Sequence, residues 1–176
     1  MIACRRRSSK PVDSETVVCE TPEDTFELGS RLGASLRGGE VVLLHGGLGA
    51  GKTLLTKGIL GGLAYDTDEV TSPSFTLVNL YKTDNFDVYH IDLWRLDGGT
   101  GTADAVGLAD LLENESAVLI IEWAEKLGEY GFERKVINFN IEGDGETPRR
   151  ITISGAGNLA NETDRREKGG PVAGAV

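Results

Sequence analysis

Two stretches of this chain are apolar at every position, and each ends at residues equipped for chemistry. Val41-Val42-Leu43-Leu44 runs into His45-Gly46, and Ala117-Val118-Leu119-Ile120-Ile121 runs into Glu122-Trp123. Short continuous apolar runs of this kind are expected of strands buried on both faces of a parallel sheet. Around them the spacing changes to helical. Thr21-Pro22-Glu23-Asp24 reads as a helix start, with Thr21 as N-cap, Pro22 in the first position and acids in the first turn. Phe26, Leu28, Leu32 and Leu36 supply its buried face, and Gly38-Gly39 stops it. A second helix is predicted over Leu54–Leu63, with Leu55, Ile59 and Leu63 inward, and a third over Ala105–Leu112.

Alternating segments fill the rest. Phe75–Tyr81 and Phe86–Ile91 flank the turn Lys82-Thr83-Asp84-Asn85 and predict an antiparallel hairpin. Val136–Ile141 and Arg150–Ile153 flank Gly143-Asp144-Gly145-Glu146 and predict a second. Thr16-Val17-Val18-Cys19 reads as a short edge strand. The fold class is therefore α/β: parallel strands at the centre, antiparallel hairpins attached, and helices on both faces. Residues 1–16 are polar and basic and are expected to form a disordered arm; residues 17–154 make one domain, and residues 155–176 a flexible tail.

Between the first apolar run and the second helix lies Gly46-Gly47-Leu48-Gly49-Ala50-Gly51-Lys52-Thr53, which fits the phosphate-binding pattern G-x-x-x-x-G-K-[ST]. Glycines there allow a nest of inward-pointing amides, and the following helix presents its N-terminus to an anion. Strand, glycine loop and helix occur in the order the motif requires. Gly49, Ala50, Gly51, Lys52, Thr53 and Leu54 are the expected phosphate-side residues, with Lys52 reaching the phosphates and the Thr53 hydroxyl a ligand for Mg²⁺. Ligands of such sheets lie beyond the strand C-terminal ends, where Asp92 and Glu122 also fall. Glu122 is assigned as the carboxylate nearest the metal, and Asp92 as the acid that orders an attacking water or the ion's outer shell. Either also reads as a plain strand-end carboxylate. His90 reads as structural in preference to a general base, and Trp94 and Trp123 as packing that fixes the acids. Thr71-Ser72 is either a loop that senses a terminal phosphate or an ordinary turn. Lys82-x-Asp84 has Tyr81 where a guanine-specific motif needs Asn, so adenine is the default base.

The formal net charge of −10 sharpens the picture. Four basic residues and no acid in residues 1–10, with a balanced 155–176, leave −14 on residues 11–154. A body that acidic repels a phosphate backbone, so strong direct nucleic-acid binding is not expected. No apolar run has the ~18 residues a membrane span needs. Cys4 and Cys19 are isolated thiols without metal spacing, which suits a reducing, cytoplasmic setting.

With these residues assembled, the chain resembles the TsaE family, P-loop ATPases of bacterial tRNA threonylcarbamoyladenosine (t6A) biosynthesis. The matching runs are Gly46–Thr53, Thr71-Ser72-Pro73-Ser74-Phe75-Thr76-Leu77-Val78, His90-Ile91-Asp92-Leu93-Trp94-Arg95-Leu96 and Ile121-Glu122-Trp123, spread over residues 20–154. Three positions depart from the family's habit: Gly47 for Asp, Trp94 for Tyr and Ala124 for Pro. The resemblance implies slow hydrolysis of ATP in the service of a partner, the TsaB–TsaD threonylcarbamoyl transferase. It implies Thr53 and Glu122 as Mg²⁺ ligands, Lys52, Asp92 and Glu122 as the catalytic set, and Pro22 and Arg150 against the nucleotide. Two other functions remain open on the residues alone: a small-molecule kinase, for which the scarcity of arginine between Arg37 and Arg134 is unfavourable, and a nucleotide-dependent binding module without useful turnover.

Overall fold

The structure, a computed structural model, describes residues 14–99, 101–145 and 148–156. Seven strands form one mixed sheet in the order β1-β7-β6-β2-β5-β4-β3. The strands are β1 (Ser14–Cys19), β2 (Val41–His45), β3 (Val78–Lys82), β4 (Asp87–Asp92), β5 (Val118–Glu122), β6 (Val136–Glu142) and β7 (Arg149–Ser154). The central four are mutually parallel: β2 pairs with β5 and β6, and β4 with β5. Antiparallel pairs finish the two edges, β3 on β4 and β1 on β7. β2 and β5 lie inside this block, which explains their unbroken apolar runs; every residue of β5 is buried.

The helices divide between the faces. Alternate residues such as Val42, Leu44, Ile120, Phe139 and Ile151 meet α1 (Pro22–Ser35) and α2 (Lys52–Gly62) in one core. The opposite face, with Val41, Ile91, Leu119 and Ile121, is covered by α3 (Thr102–Ala105), α4 (Leu108–Glu113) and the 3₁₀ turn Ala124–Leu127. Thr21 caps α1 in a reciprocal capping box with Asp24, as the sequence predicts. α1 crosses α2 at glycines. A Cβ on Gly29 would stand 2.4 Å from Leu55 O, one on Gly33 2.1 Å from Ile59 O, and one on Gly58 2.2 Å from Phe26 O. Backbone lies against backbone at this crossing, so α2, and with it the end of the glycine loop, is seated by α1.

Several expectations shift. β1 begins at Ser14, so Ser14–Thr16 belong to the domain; the remaining arm and the tail beyond residue 156 lie outside the described residues. Phe75–Leu77 precede the strand: Leu77 N–H donates to Pro73 O and Leu77 adopts φ 65°, closing a turn before β3. The helix predicted over Ala105–Leu112 is broken by Gly107 at φ 61° into α3 and α4. β6 is more than half of a hairpin, since it also pairs in parallel with β2. Among the described residues no helix is long and apolar enough to cross a membrane.

Candidate functional site

The end of β2 leads straight into the glycine loop, and the chain's left-handed positions fall where the motif needs them. Gly46, Gly49 and Gly51 have φ of 148°, 78° and 102°. Gly51 is the N-cap of α2, so no side chain competes for the first amides of that helix. Its φ of 102° strains any residue with a Cβ, and a Cβ there would also displace the Arg149 side chain, whose Nε would lie 2.8 Å away. A Cβ on Gly47, by contrast, meets nothing within 4 Å among the described residues.

Lys52 is 4% exposed and turned onto its own loop, donating from Nζ to Gly46 O at 2.7 Å and Gly47 O at 2.8 Å. Its ammonium also lies 3.6 Å from the centroid of the Trp123 ring. Burial lowers its pKa, with Glu122, Glu125 and Asp92 pulling the other way. Trp123 holds a left-handed φ of 58° and packs at 4.5 Å against Trp94. A left-handed non-glycine residue costs about 1–2 kcal/mol, and here the two rings and the lysine hold it in place.

The two acids stand side by side, because Asp92 and Glu122 are register partners at the C-terminal ends of β4 and β5. Both are nearly inaccessible, at 3% and 2%. Glu122 accepts from Thr53 Oγ1 at 2.9 Å on Oε1, with Oε2 at 3.2 Å, and from His90 Nε2 at 2.8 Å on Oε1. Asp92 accepts from Ser72 Oγ at 2.8 Å and from the Trp94 amide at 2.9 Å. Each buried carboxylate is thus met by donors that replace the water it has lost. Thr71-Ser72 is therefore tied to the acid pair. Tyr81 Oη, donating to Thr71 O at 3.0 Å, holds the same loop from behind.

Lys52, Thr53, Asp92 and Glu122 line one cleft of about 430 Å³, together with Leu48–Gly51, Leu54, Ser72, Ser74, Trp94, Arg95 and Trp123. That volume is in the range of small-molecule sites. A smaller apolar recess of about 230 Å³, lined by Pro22, Glu23, Phe26 and Leu54, adjoins it through Leu54. Gly49, Ala50, Gly51, Lys52, Thr53 and Leu54 therefore come together with Asp92 and Glu122, and Pro22 lies next door.

Arg150 does not join them. On β7 it alternates to the exposed side, and its neighbour Arg149 turns inward instead. Arg149, 5% exposed, donates from Nε to Ala50 O at 2.9 Å and from Nη2 to Gly145 O at 2.8 Å, pinning the glycine loop to the β6–β7 turn. The sequence reading missed Arg149. The strand alternation carried the signal, since Ile151 and Ile153 are buried and Arg149 shares their parity.

As a donor set, Thr53 and Glu122 offer hard oxygens at the edge of the loop. Among the described residues no three His, Cys, Asp or Glu side chains converge into an all-protein metal cage. The hydroxyl and carboxylate oxygens of Thr53 and Glu122 could hold a hard divalent cation. Cys19 takes no part: it is buried and its pKa is raised by that burial, which leaves an inert thiol.

Comparison with known proteins agrees with this layout. The chain is 43% identical over 124 residues to the tRNA threonylcarbamoyladenosine biosynthesis protein TsaE of Mycobacterium leprae (strain TN), covering 66% of this chain and 75% of that protein. It is 32% identical over 150 residues to TsaE of Bacillus subtilis (strain 168), covering 83% and 91%. The crystal structure of Bacillus subtilis YdiB superposes with a TM-score of 0.67 at 28% identity, over 91% of this chain and all (100%) of that one. The model of the threonylcarbamoyl adenosine biosynthesis protein TsaE matches residues 19–151, and the chain accordingly belongs to the TsaE family of t6A biosynthesis.

Proposed function

We propose that this protein binds ATP with Mg²⁺ at the glycine loop and hydrolyses it slowly, in the cytoplasm, to drive the TsaB–TsaD transferase of t6A biosynthesis. The observation that carries the reading is the convergence of Lys52, Thr53, Glu122 and Asp92 at the end of parallel strands, on a loop whose Gly51 holds a left-handed φ that favours glycine. Loop amides and the α2 N-terminus favour an anion there. Lys52 supplies the positive charge for the β- and γ-phosphates once released from Gly46 O and Gly47 O. Thr53 and Glu122 would hold Mg²⁺, which neutralises charge on the phosphate oxygens. Asp92 retains lone pairs beyond those used by Ser72 and Trp94, so it can accept from a water aimed at the γ-phosphate. Pro22, Phe26 and Leu54 offer an apolar surface for the base.

Nucleotide binding competes with the contacts that Lys52 makes to its own loop. Two hydrogen bonds and the contact with Trp123 have to break before the ammonium meets phosphate. A partner that moves Trp123 or Trp94 would lower that barrier. The acidic surface argues that tRNA is handled by the partner and not gripped by this chain.

The test is phosphate release from ATP and Mg²⁺ with and without purified TsaB–TsaD. Stimulation by the pair supports the proposal. A second reading, a small-molecule kinase, draws on Arg95 at the cleft, but that guanidinium is held by Ser74 O at 2.7 Å and stacks 4.2 Å over Phe75. A phosphorylated metabolite in place of free phosphate would favour it. Tight binding without turnover under either condition would leave a binding module.

A further inference from the structure

We infer that His90 is a positioning residue: its Nε2 fixes one oxygen of Glu122 so that the other is presented to the metal. The inference rests on the reading of Thr53 and Glu122 as ligands of a divalent cation. His90 is 0% exposed and sits on β4 one pleat below the register partner of Glu122. Its Nε2 lies 2.8 Å from Glu122 Oε1, which also takes the shorter Thr53 contact, while Oε2 has only the Thr53 hydroxyl at 3.2 Å. Oε2 is therefore the less encumbered oxygen and the one available to an ion or its water. A glutamate side chain has three rotatable bonds, and without an anchor on Oε1 its carboxylate would sample orientations that turn Oε2 away. Carboxylates that ligate metals are themselves held by hydrogen bonds from outer-shell groups, and Nε2 is placed to supply one.

A packing role alone explains His90 poorly. Its Nδ1 has no hydrogen-bond partner among the described residues, and a buried polar atom left in that condition costs about 1–3 kcal/mol. The Tyr81 ring stands 6.3 Å away and tilted, and an apolar residue would fill the same space without that cost. What an apolar residue cannot supply is the donor to Glu122.

The test compares nucleotide and metal binding in wild type, His90→Leu and His90→Gln. Calorimetry gives ATP-analogue affinity in EDTA and in Mg²⁺, and electron paramagnetic resonance gives Mn²⁺ affinity in the presence of ADP. In His90→Leu the metal-free affinity is expected to stay within about twofold of wild type while Mn²⁺ binding weakens about 10–100-fold. His90→Gln, which carries an amide donor to a similar reach, restores most of it. Wild-type Mn²⁺ affinity in His90→Leu overturns the inference, as does an equal loss of metal-free binding or a glutamine variant as damaged as leucine. If His90→Leu does not fold, the imidazole Nε2–H signal of the ¹⁵N-labelled wild type decides. It should persist, slowly exchanging, before and after Mg²⁺ and nucleotide are added, and its loss on metal addition overturns the inference. A wild type whose nucleotide affinity ignores Mg²⁺ would overturn the metal reading and this inference together, whereas a responsive wild type with a responsive His90→Leu removes only the latter.

Discussion

Gly58→Ala places one methyl group where α1 and α2 have no room for it. The added Cβ would lie 2.2 Å from Phe26 O, 3.0 Å from Phe26 C and 3.1 Å from the Gly29 Cα. A carbon–oxygen contact relaxes at about 3.3 Å, so the helices must part by about 1 Å. A gap of that size forfeits a quarter to a half of the dispersion energy across the contact, and the side chains affected include Leu28, Leu32, Leu55 and Ile59, all fully buried. Overpacking of this kind costs about 1–3 kcal/mol, and a clash with backbone falls at the upper end. Alanine returns about 0.8–1 kcal/mol of helix propensity. The net expectation is about 2 kcal/mol of destabilisation, or a fall in Tm of about 6–10 °C for a domain of this size. Gly61→Ala is the internal control: it gains the same propensity but meets only side-chain atoms, Phe26 Cζ at 3.0 Å and Thr67 Cγ2 at 3.2 Å, so its Tm should change little. Gly29→Ala combined with Gly58→Ala should cost less than the sum, because both open the same gap. Differential scanning calorimetry of wild type, the three single variants and the double variant is the assay. A Gly58→Ala protein melting at or above wild type would refute the account of this crossing, and with it the claim that α1 seats the start of α2.

Four further expectations concern the site. Glu122→Gln should keep nucleotide affinity within several-fold while phosphate release falls about 100-fold or more, because the loss falls on a group that acts on the metal and not on the base; single-turnover measurements check it. Arg149→Ala frees Ala50 O and Gly145 O, so nucleotide affinity should drop about tenfold, corresponding to the loss of a charge-assisted hydrogen bond, measured by calorimetry. The lowered pKa of Lys52 makes binding pH-dependent: phosphate favours the ammonium, so affinity falls and proton uptake on binding grows as pH rises through that pKa, and Lys52→Ala should lack this dependence. For stability the sign is opposite, since the folded state holds fewer protons than the unfolded one just above the lowered pKa, so this group favours folding more as pH rises there. Gly47→Asp should leave Tm nearly unchanged, because its Cβ meets open space, and thermal melts test it directly.

The parts of the fold that the sequence made legible are those where one physical requirement dominates. β2 and β5 are recognisable because burial on both faces demands apolar residues throughout, and α1 because Thr21, Pro22 and Asp24 each satisfy a need of a helix start. The glycine loop is legible for the same reason, since its left-handed positions admit little besides glycine. The parallel pairing of β6 with β2 leaves no comparable mark, because alternation looks the same whether a strand is central or peripheral. The break between α3 and α4 depends on one glycine adopting φ 61°, which helical periodicity averages away. In the site, Asp92 and Glu122 could be found as strand ends, whereas the exchange of Arg150 for Arg149 turns on a one-residue register that only the sheet decides. The tie between His90 and Glu122 is a tertiary contact across strands, with no local trace in the sequence.

The central claim is that the glycine loop and Lys52 capture a nucleotide triphosphate with its metal. Isothermal titration of Mg²⁺–ATP into the folded full chain tests it most directly. The account predicts a saturable heat with one nucleotide per chain, and a much weakened affinity for Lys52→Ala in a protein that still melts cooperatively. No heat in the wild type, or the same affinity in Lys52→Ala, would contradict it.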